Sequence, residues 1–358
     1  MGTTGYTSPI AIHPGETVRE TLDVLGVSQS ELSLRTGLAE KTISEILNGK
    51  NPITPETALK FERALGISKM GLINMQAQYD ADLLRIKESK RLEDETTYLE
   101  KFTCYLELAK YKYVKKTRNR VEKVEELLRF FEVDSLTSVK QVLPVAFRKL
   151  DTKKVNKESL AAWLKIGRLE ASKINPEDFD LEKLREKLED MRKLTTQDAK
   201  EYSQKLVDLC AECGIALVYT PYLKKTYVNG ATRWITPKRA LIQLSLRHAY
   251  ADIFWFTFFH EIGHLIKHSK KYTFINFENE QDSELEKEAD QFAKKMLIPS
   301  SAQFSKFMEG LTKNNLASRI KEFADKNGVA PGIVAGRIGK ETGKWNLVAP
   351  YRKRLCLK

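Results

Sequence analysis

Two histidines spaced four residues apart place the strongest constraint on the fold of this 358-residue chain. His260 and His264 occur in the segment FFHEIGHLIKHSKK, with Glu261 between them. In a helix, positions i and i+4 lie one above the other, so both imidazoles can reach one zinc ion at about 2.1 Å. Glu261 projects about 100° around the helix and can reach a water near the metal without being a ligand. This HExxH arrangement is typical of zinc peptidases and predicts that Glu261 is the catalytic base.

A catalytic zinc site needs a third protein ligand. His268 lies eight residues beyond His260, about 12 Å along a straight helix, which is too far for one metal. The later segment SELEKEADQFAKKM predicts a second helix with two candidates, Glu286 and Glu288. Glu286 is favoured because it shares a face with small residues that let the two helices approach. Glu288 stays the alternative, and Asp290, on the face of Glu286, can hold the free ring nitrogen of a ligand histidine.

The same segments have a second interpretation, in which two helices pair without binding a metal. The segments GIALVYT and RALIQLSLR precede the histidines and predict strands, the second by its alternation of apolar and polar residues. Strands before the HExxH segment and an acidic helix after it favour the zinc site. The alternating strand, residues 240–247, is a candidate to hold an extended peptide as an added strand.

The N-terminal region has the pattern of a compact bundle of short helices. Ser28 and Glu31 form a capping box at the start of one helix, and Thr54 caps a later one. Two short helices joined by a Gly-containing turn and held by flanking helices describe a helix-turn-helix. We expect the second of these two helices, residues 39–47, to enter the major groove of DNA.

Charge is unevenly distributed along the chain, and the polar candidates for DNA contact lie in its least basic part. Residues 1–80 carry 7 Lys and Arg against 9 Asp and Glu, residues 81–200 carry 28 against 23, and residues 201–358 carry 25 against 16. The N-terminal region therefore has little nonspecific affinity for DNA as a monomer, and we expect a homodimer on a palindromic operator. Candidates near base edges are Glu40, Lys41, Thr42 and Ser44, and candidates near phosphates are Gln29, Asn48 and Lys50.

The remaining composition favours a cytoplasmic protein without a membrane partner. The most apolar run, residues 253–259, is too short to span a bilayer, and the first residues lack a signal-peptide pattern. Four cysteines are too few for a disulfide framework in a chain of this length, so Cys210 and Cys213 are expected to be reduced. The segment KYKYVKKTRNR, residues 110–120, is either a nucleic-acid contact or a solvated helix face.

Two stretches of the sequence also resemble known families. HEIGHLIKH, followed by ELEKEADQFAKKMLIP, resembles the ImmA/IrrE family of zinc metallopeptidases over about residues 200–340. The stretch that contains SQSELSLRTGLAEKTISEILNGK resembles the Xre-type helix-turn-helix of HigA-like antitoxins over residues 13–68. The first resemblance implies gluzincin-like chemistry with a Zn²⁺ cofactor, in a family whose members cleave or help remove a helix-turn-helix repressor.

These observations predict an α+β fold, mainly α. We expect a five-helix helix-turn-helix bundle in residues 1–80, a charged helical connector in residues 81–200, and a gluzincin-like domain with a small β-sheet and the HExxH helix in residues 201–358.

The predicted function is a DNA-binding transcriptional regulator with a zinc-dependent endopeptidase domain. Its substrate would be a repressor, an antitoxin or its own chain, in a stress, phage or toxin–antitoxin response. The expected partners are an operator in double-stranded DNA, a protein substrate and a toxin. The alternative is a HigA-like antitoxin or repressor whose C-terminal domain binds a partner protein without cutting it.

Overall fold

The computed structural model is mainly helical and contains one four-stranded sheet. This confirms the α+β, mainly α class expected from the sequence. The part of the chain that the structure describes has no helix long and apolar enough to cross a membrane. The described residues are 9–143, 154–247, 250–268, 274–277 and 284–355.

Contacts between Cα atoms divide the chain into two compact units. The first unit comprises the chain up to Thr97 together with Thr117–Glu125. The second comprises Tyr98–Lys116 together with the chain from Glu126 onward. Most of the expected connector, residues 81–200, thus belongs to the second unit.

The first unit begins with five helices, as the helix-turn-helix pattern predicts. Ser28 Oγ accepts a hydrogen bond from the Glu31 N–H at 3.1 Å, and Thr54 Oγ1 accepts one from the Thr57 N–H at 3.2 Å. Ala39 is the N-cap of the third helix, which therefore starts one residue later than expected. The helices are α1 Gly15–Leu25, α2 Gln29–Thr36, α3 Glu40–Leu47, α4 Pro55–Leu65 and α5 Lys69–Glu95.

Apolar side chains at helical spacing form the core of the first unit. The Gln76 side chain adds a polar link, since its Oε1 accepts a hydrogen bond from the Ile53 N–H at 2.9 Å and joins α5 to the loop before α4. The boundary expected after residue 80 lies inside α5 and does not mark a linker. The buried apolar residues are Val18, Leu22, Leu32, Ile43, Ile46, Leu47, Ile53, Ala58, Phe61 and Leu72.

Most of the remaining helices belong to the second unit, and the helix Arg120–Phe131 runs from the first unit into the second. The boundary expected after residue 200 falls inside one of them, the helix Ala199–Glu212. These helices are α6 Tyr105–Lys110, α7 Arg120–Phe131, α8 Val139–Val142, α9 Lys157–Ala171, α10 Leu181–Lys193, α11 Ala199–Glu212, α12 Ala251–Lys267, α13 Glu284–Leu297, α14 Ser301–Glu309, α15 Leu316–Asn327, α16 Pro331–Thr342 and α17 Trp345–Val348.

The sheet of the second unit has the strand order β1-β3-β2-β4. The third strand pairs with the first in parallel and with the second antiparallel, and the second pairs antiparallel with the fourth. Both strands expected from the sequence are present. The strands are β1 Ile215–Thr220, β2 Val228–Thr236, β3 Arg239–Ser245 and β4 Phe274–Phe277.

Helices cover both faces of β3. Ile242 and Leu244 pack with α12 in the main core of the unit, whereas Leu241 packs with Ala171 of α9 on the opposite face. Gln243, on the α9 face, is buried as well, and its Nε2 donates to the Trp163 carbonyl at 2.7 Å. The central polar position of this strand is therefore covered, although the alternation of the strand suggests a half-exposed face.

Candidate metal centre

Helix α12 carries the two histidines through the core of the second unit, and α13 packs directly beside it. Gly263 permits this close approach. A Cβ at this position would lie 3.1 Å from the Ala289 Cα and 3.3 Å from the Phe292 Cβ. The small residues on both helices thus bring the acidic face of α13 to the histidines.

Three side-chain atoms converge between the two helices. The Nε2 atoms of His260 and His264 lie 3.0 Å apart. Glu286 Oε2 is 3.0 Å from the first of these atoms and 3.4 Å from the second. The two imidazoles are buried, and the Glu286 side chain is 15% exposed. The three residues form a group able to hold a metal ion.

Asp290 contacts one member of this group, His260. Its Oδ1 lies 2.8 Å from the Nδ1 of His260, the ring nitrogen that faces away from the other two ligand candidates. Burial lowers the pKa of His260, but hydrogen bonds to Asp290 and Glu286 outweigh it and raise the pKa to about 10. Burial also raises the pKa of Glu286, but hydrogen bonds to both histidines lower it to about 2. Glu286 and His260 thus stabilise each other's charged forms.

The distances fit zinc. In a tetrahedral site with bonds of about 2.1 Å, neighbouring ligand atoms lie roughly 3.4 Å apart. The three observed separations are 3.0, 3.0 and 3.4 Å. Two imidazole nitrogens and one carboxylate oxygen are also a ligand set of catalytic zinc sites.

Glu261 follows His260 on α12 and contacts β2. It is fully buried, and its Oε2 accepts a hydrogen bond from the Thr232 Oγ1 at 2.6 Å. Its Oε1 has no hydrogen-bond partner among the described residues, and a Cβ at Gly230 would lie 2.6 Å from it. Burial raises the pKa of Glu261 to about 7, against the charge of His260 and the Thr232 hydrogen bond, which lower it. A carboxylate in this state can accept and return a proton near neutral pH.

A further layer of side chains surrounds His264. The Nδ1 of His268 lies 2.9 Å from the Nδ1 of His264, and the Nε2 of His268 lies 3.1 Å from Glu288 Oε2. Phe274 of β4 stacks on the His264 ring with a centroid distance of 4.0 Å. Glu288, the alternative ligand, is thus next to His268, whereas Glu286 is in the metal-binding group.

Sequence analysis did not find Gly230, Thr232 or Phe274. Gly230 and Thr232 contact Glu261 from β2, and Phe274 stacks on His264 from β4. The sequence carries no signal for these contacts.

The expectation that residues 240–247 hold a substrate as an added strand is wrong. This segment is β3, and both of its edges are already paired, with β1 on one side and β2 on the other. An added strand needs an open edge. β4 pairs with β2 on one side only among the described residues, and it lies beside His264.

The seven candidate DNA contacts lie in the first unit, on α2, on α3 and in the turn after α3. Lys41 is highly accessible, with 85% of its side chain exposed and its Nζ 3.9 Å from Glu45 Oε1. The Asn48 Nδ2 donates to the Ser44 carbonyl at 2.8 Å. The exposed candidates are Gln29, Glu40, Lys41, Asn48 and Lys50, and the partly exposed candidates are Thr42 and Ser44.

Two other sequence features have structural explanations. The segment 110–120 is not a helix face, because most of it connects the end of α6 to the start of α7. Tyr113 in this segment donates its hydroxyl to Glu170 Oε1 at 3.0 Å. Cys210 and Cys213 are free, buried thiols, and burial raises the pKa of both, that of Cys213 to about 11. They are therefore unreactive core residues.

Comparisons with known proteins match different families to the N-terminal and C-terminal parts of the chain. A helix-turn-helix family model matches residues 18–72, and a peptidase family model described as the IrrE N-terminal-like domain matches residues 210–337. The HTH-type transcriptional regulator YddM of Escherichia coli is 38% identical over 63 residues, 18% of this chain and 67% of the relative. Virulence-associated protein I of Dichelobacter nodosus is 38% identical over 71 residues, 20% of this chain and 66% of the relative. The chain spans about two thirds of the length of these curated relatives.

Two solved structures resemble about a quarter of the chain. One is an addiction module antidote protein of the HigA family from Coxiella burnetii, with 31% identity and a TM-score of 0.22, covering 24% of this chain and 94% of that chain. The other is an antidote protein of a plasmid maintenance system from Nostoc punctiforme, with 28% identity and a TM-score of 0.23, covering 24% and 93%.

The fold and the site together define a regulator of the helix-turn-helix class joined to a metallopeptidase-type domain. The chain belongs to the helix-turn-helix family through residues 18–72 and has an IrrE N-terminal-like domain over residues 210–337.

Proposed function

We propose that the second unit is a zinc-dependent endopeptidase and that the first unit brings the chain, as a homodimer, to an operator in double-stranded DNA. The observation that carries the proposal is the convergence of His260 Nε2, His264 Nε2 and Glu286 Oε2 on one point. A zinc peptidase needs at least a metal-binding group of this composition and a carboxylate beside it.

In the proposed mechanism His260, His264 and Glu286 hold the ion. When bound, zinc supplies polarisation of a water and of the scissile carbonyl. The Glu261 carboxylate removes a proton from the attacking water and delivers it to the leaving amine. Burial of this carboxylate raises its pKa and so makes it a stronger base for this transfer. Asp290 keeps the His260 ring oriented by accepting from its Nδ1.

We propose that the substrate lies as an extended peptide beside β4. The Phe274 ring of this strand stacks on His264, so a peptide paired with the strand passes the metal site. Backbone hydrogen bonds to an edge strand hold a peptide with little dependence on its sequence. The proposed substrates are a helix-turn-helix repressor, an antitoxin or the chain itself. The proposed context is a stress, phage or toxin–antitoxin response.

The test compares new protein N-termini in bacterial cells that express the wild-type chain or the Glu261→Ala variant, with and without DNA damage. The expected result is a set of cleavage products that depends on Glu261, because general-base catalysis contributes roughly 10²- to 10⁴-fold to the rate. The Glu309→Ala variant, changed at an exposed position of α14, is the matched control and should cleave normally.

Zinc content of each purified protein completes the experiment. Identical N-termini from zinc-loaded wild-type and Glu261→Ala protein would contradict the peptidase and support a non-cleaving antitoxin that binds a toxin or another partner protein. A product whose N-terminus lies within this chain would identify the chain as its own substrate.

A further inference from the structure

His268 ends helix α12 in a conformation that turns its side chain back toward the metal centre. Its backbone is extended, with φ −117° and ψ 157°, and its N–H still donates to the His264 carbonyl. The side chain is only 2% exposed although the residue follows the last helical position. A straight helix places His268 too far from His260 to share its metal, but this turn places it against His264.

The contacts of His268 define a chain of three groups. Glu288 Oε2 lies 3.1 Å from His268 Nε2, and His268 Nδ1 lies 2.9 Å from His264 Nδ1. The remaining nitrogen of His264, Nε2, faces His260 and Glu286. The Phe274 ring covers the His264 ring at 4.0 Å and lies 5.1 Å from the His268 ring.

We propose that His268 and Glu288 are positioning residues that orient His264 and fix its tautomer for metal binding. This inference rests on the proposed zinc site. A carboxylate oxygen accepts hydrogen bonds, so Glu288 Oε2 takes the Nε2–H of His268. The Nδ1 of His268 is then an acceptor, and it receives the Nδ1–H of His264. The Nε2 of His264 is left with its lone pair directed at the metal position.

His260, the other histidine of the proposed zinc site, is also oriented by an acidic residue. Asp290 accepts directly from the Nδ1 of His260, whereas Glu288 acts on His264 through an intervening imidazole. The two acidic residues that the sequence offered as rival ligands thus have different tasks. Glu286 reaches the metal position, and Glu288, two residues further along α13, holds His268.

Zinc affinity of the full-length chain tests the proposal, measured by competition with a chromophoric chelator. Loss of such a supporting residue weakens metal binding by about 10- to 100-fold. We expect His268→Ala to fall in this range and Glu288→Ala to weaken binding by about tenfold. Glu288→Gln keeps a carbonyl acceptor and should restore most of the affinity. Glu309→Gln is the control for loss of an exposed acidic group and should bind as the wild type does.

The double variant His268→Ala/Glu288→Ala shows whether Glu288 acts through His268. If it does, the double variant binds zinc as weakly as His268→Ala alone, because removal of the middle group already disconnects the outer one. Fold losses that multiply would overturn the proposal. Circular dichroism of each variant identifies any that fail to fold.

The wild-type protein provides a measurement that needs no substitution. In the zinc-loaded chain, ¹⁵N NMR of the imidazoles should show a proton on His264 Nδ1 and on His268 Nε2, and the opposite tautomer of either ring would refute the proposal. A wild-type chain that binds no zinc would overturn the proposed function and this inference together. Zinc binding that requires His260 but is unchanged in both single Ala variants would overturn the inference alone.

Discussion

At the residue scale, Asp290 shows how the centre depends on groups that do not touch the metal position. We predict that Asp290→Ala weakens zinc binding by about 10- to 100-fold, because the His260 ring loses the acceptor that orients it. Asp290→Asn keeps an acceptor oxygen and should lose much less. Chelator competition measures both affinities, and equal affinities for Asp290→Ala and the wild type would contradict the prediction.

Substitution of Gly230 should affect Glu261 without affecting metal binding. A Cβ at this position would lie 2.6 Å from Glu261 Oε1, so Gly230→Ala must displace the carboxylate. Misplacement of a catalytic group by about 1 Å can cost roughly 10²-fold in rate. We therefore expect Gly230→Ala to lower the cleavage rate by about this factor and to bind zinc like the wild type. Lost zinc affinity in this variant would show that the substitution acts on the ligands instead.

The residue types of the centre could be read from the sequence, but their surroundings could not. Helical spacing alone predicts the arrangement of His260, His264 and Glu261, and the small-residue face of α13 indicates Glu286 before Glu288. Thr232 and Phe274 reach the centre only through strand register, which one sequence does not determine. The position of His268 depends on where α12 ends, and helix ends are the least certain part of a sequence-based assignment.

At the scale of elements, the packing of α12 against α13 controls the distance between the ligands. Gly263 faces Ala289 and Phe292 at separations tighter than ordinary contact for an added Cβ. We predict that Gly263→Val destabilises the fold by about 1–3 kcal/mol through overpacking. It should also weaken zinc binding, since Glu286 moves away with α13. Urea unfolding and chelator competition measure the two effects.

Gly71 provides the matched control for this substitution. It lies in α5, and a Cβ there would meet only the Ser68 side chain, at 3.7 Å. Gly71→Ala should be neutral or stabilising by up to about 1 kcal/mol, because alanine is the better helix former. A Gly263→Val protein as stable as the wild type would show that α13 can shift without cost.

The strands illustrate a second limit of prediction at this scale. The alternation of Ile242 and Leu244 with polar residues correctly predicts β3, but it suggests an exposed face and a free edge. In the structure α9 covers that face, and the Gln243 Nε2 donates to the Trp163 carbonyl. Sheet order depends on contacts distant in sequence, so the pattern of one strand cannot show whether its edges are paired.

At the scale of the whole molecule, the two units are expected to bind DNA and metal independently. The helix-turn-helix and the metal centre share no residues, since the first lies in residues 18–72 and the second in residues 210–337. We predict that His260→Ala abolishes zinc binding and leaves the affinity for DNA unchanged. A large fall in DNA affinity would instead reveal coupling between the units.

The charge of the N-terminal region leads to a prediction about the salt dependence of DNA binding. Residues 1–80 carry 7 Lys and Arg against 9 Asp and Glu, so binding depends on a few cations placed at phosphates. Lys41 and Lys50 are exposed at α3 and the turn after it. If each contacts a phosphate, Lys41→Ala and Lys50→Ala should each weaken binding and reduce the slope of log affinity against log salt by about 1.

The measurement uses the full-length chain and a DNA fragment that it selects from a random-sequence pool, titrated at several salt concentrations. Lys306→Ala, a substitution on α14 of the second unit, is the control and should leave the slope unchanged. A Lys41→Ala protein with an unaltered slope but relaxed sequence preference would place this side chain at a base edge, where the sequence analysis put it. Unaltered slope and preference in both variants would exclude α3 as the DNA-reading helix, because a helix in the major groove brings its exposed cations to the phosphates or the bases.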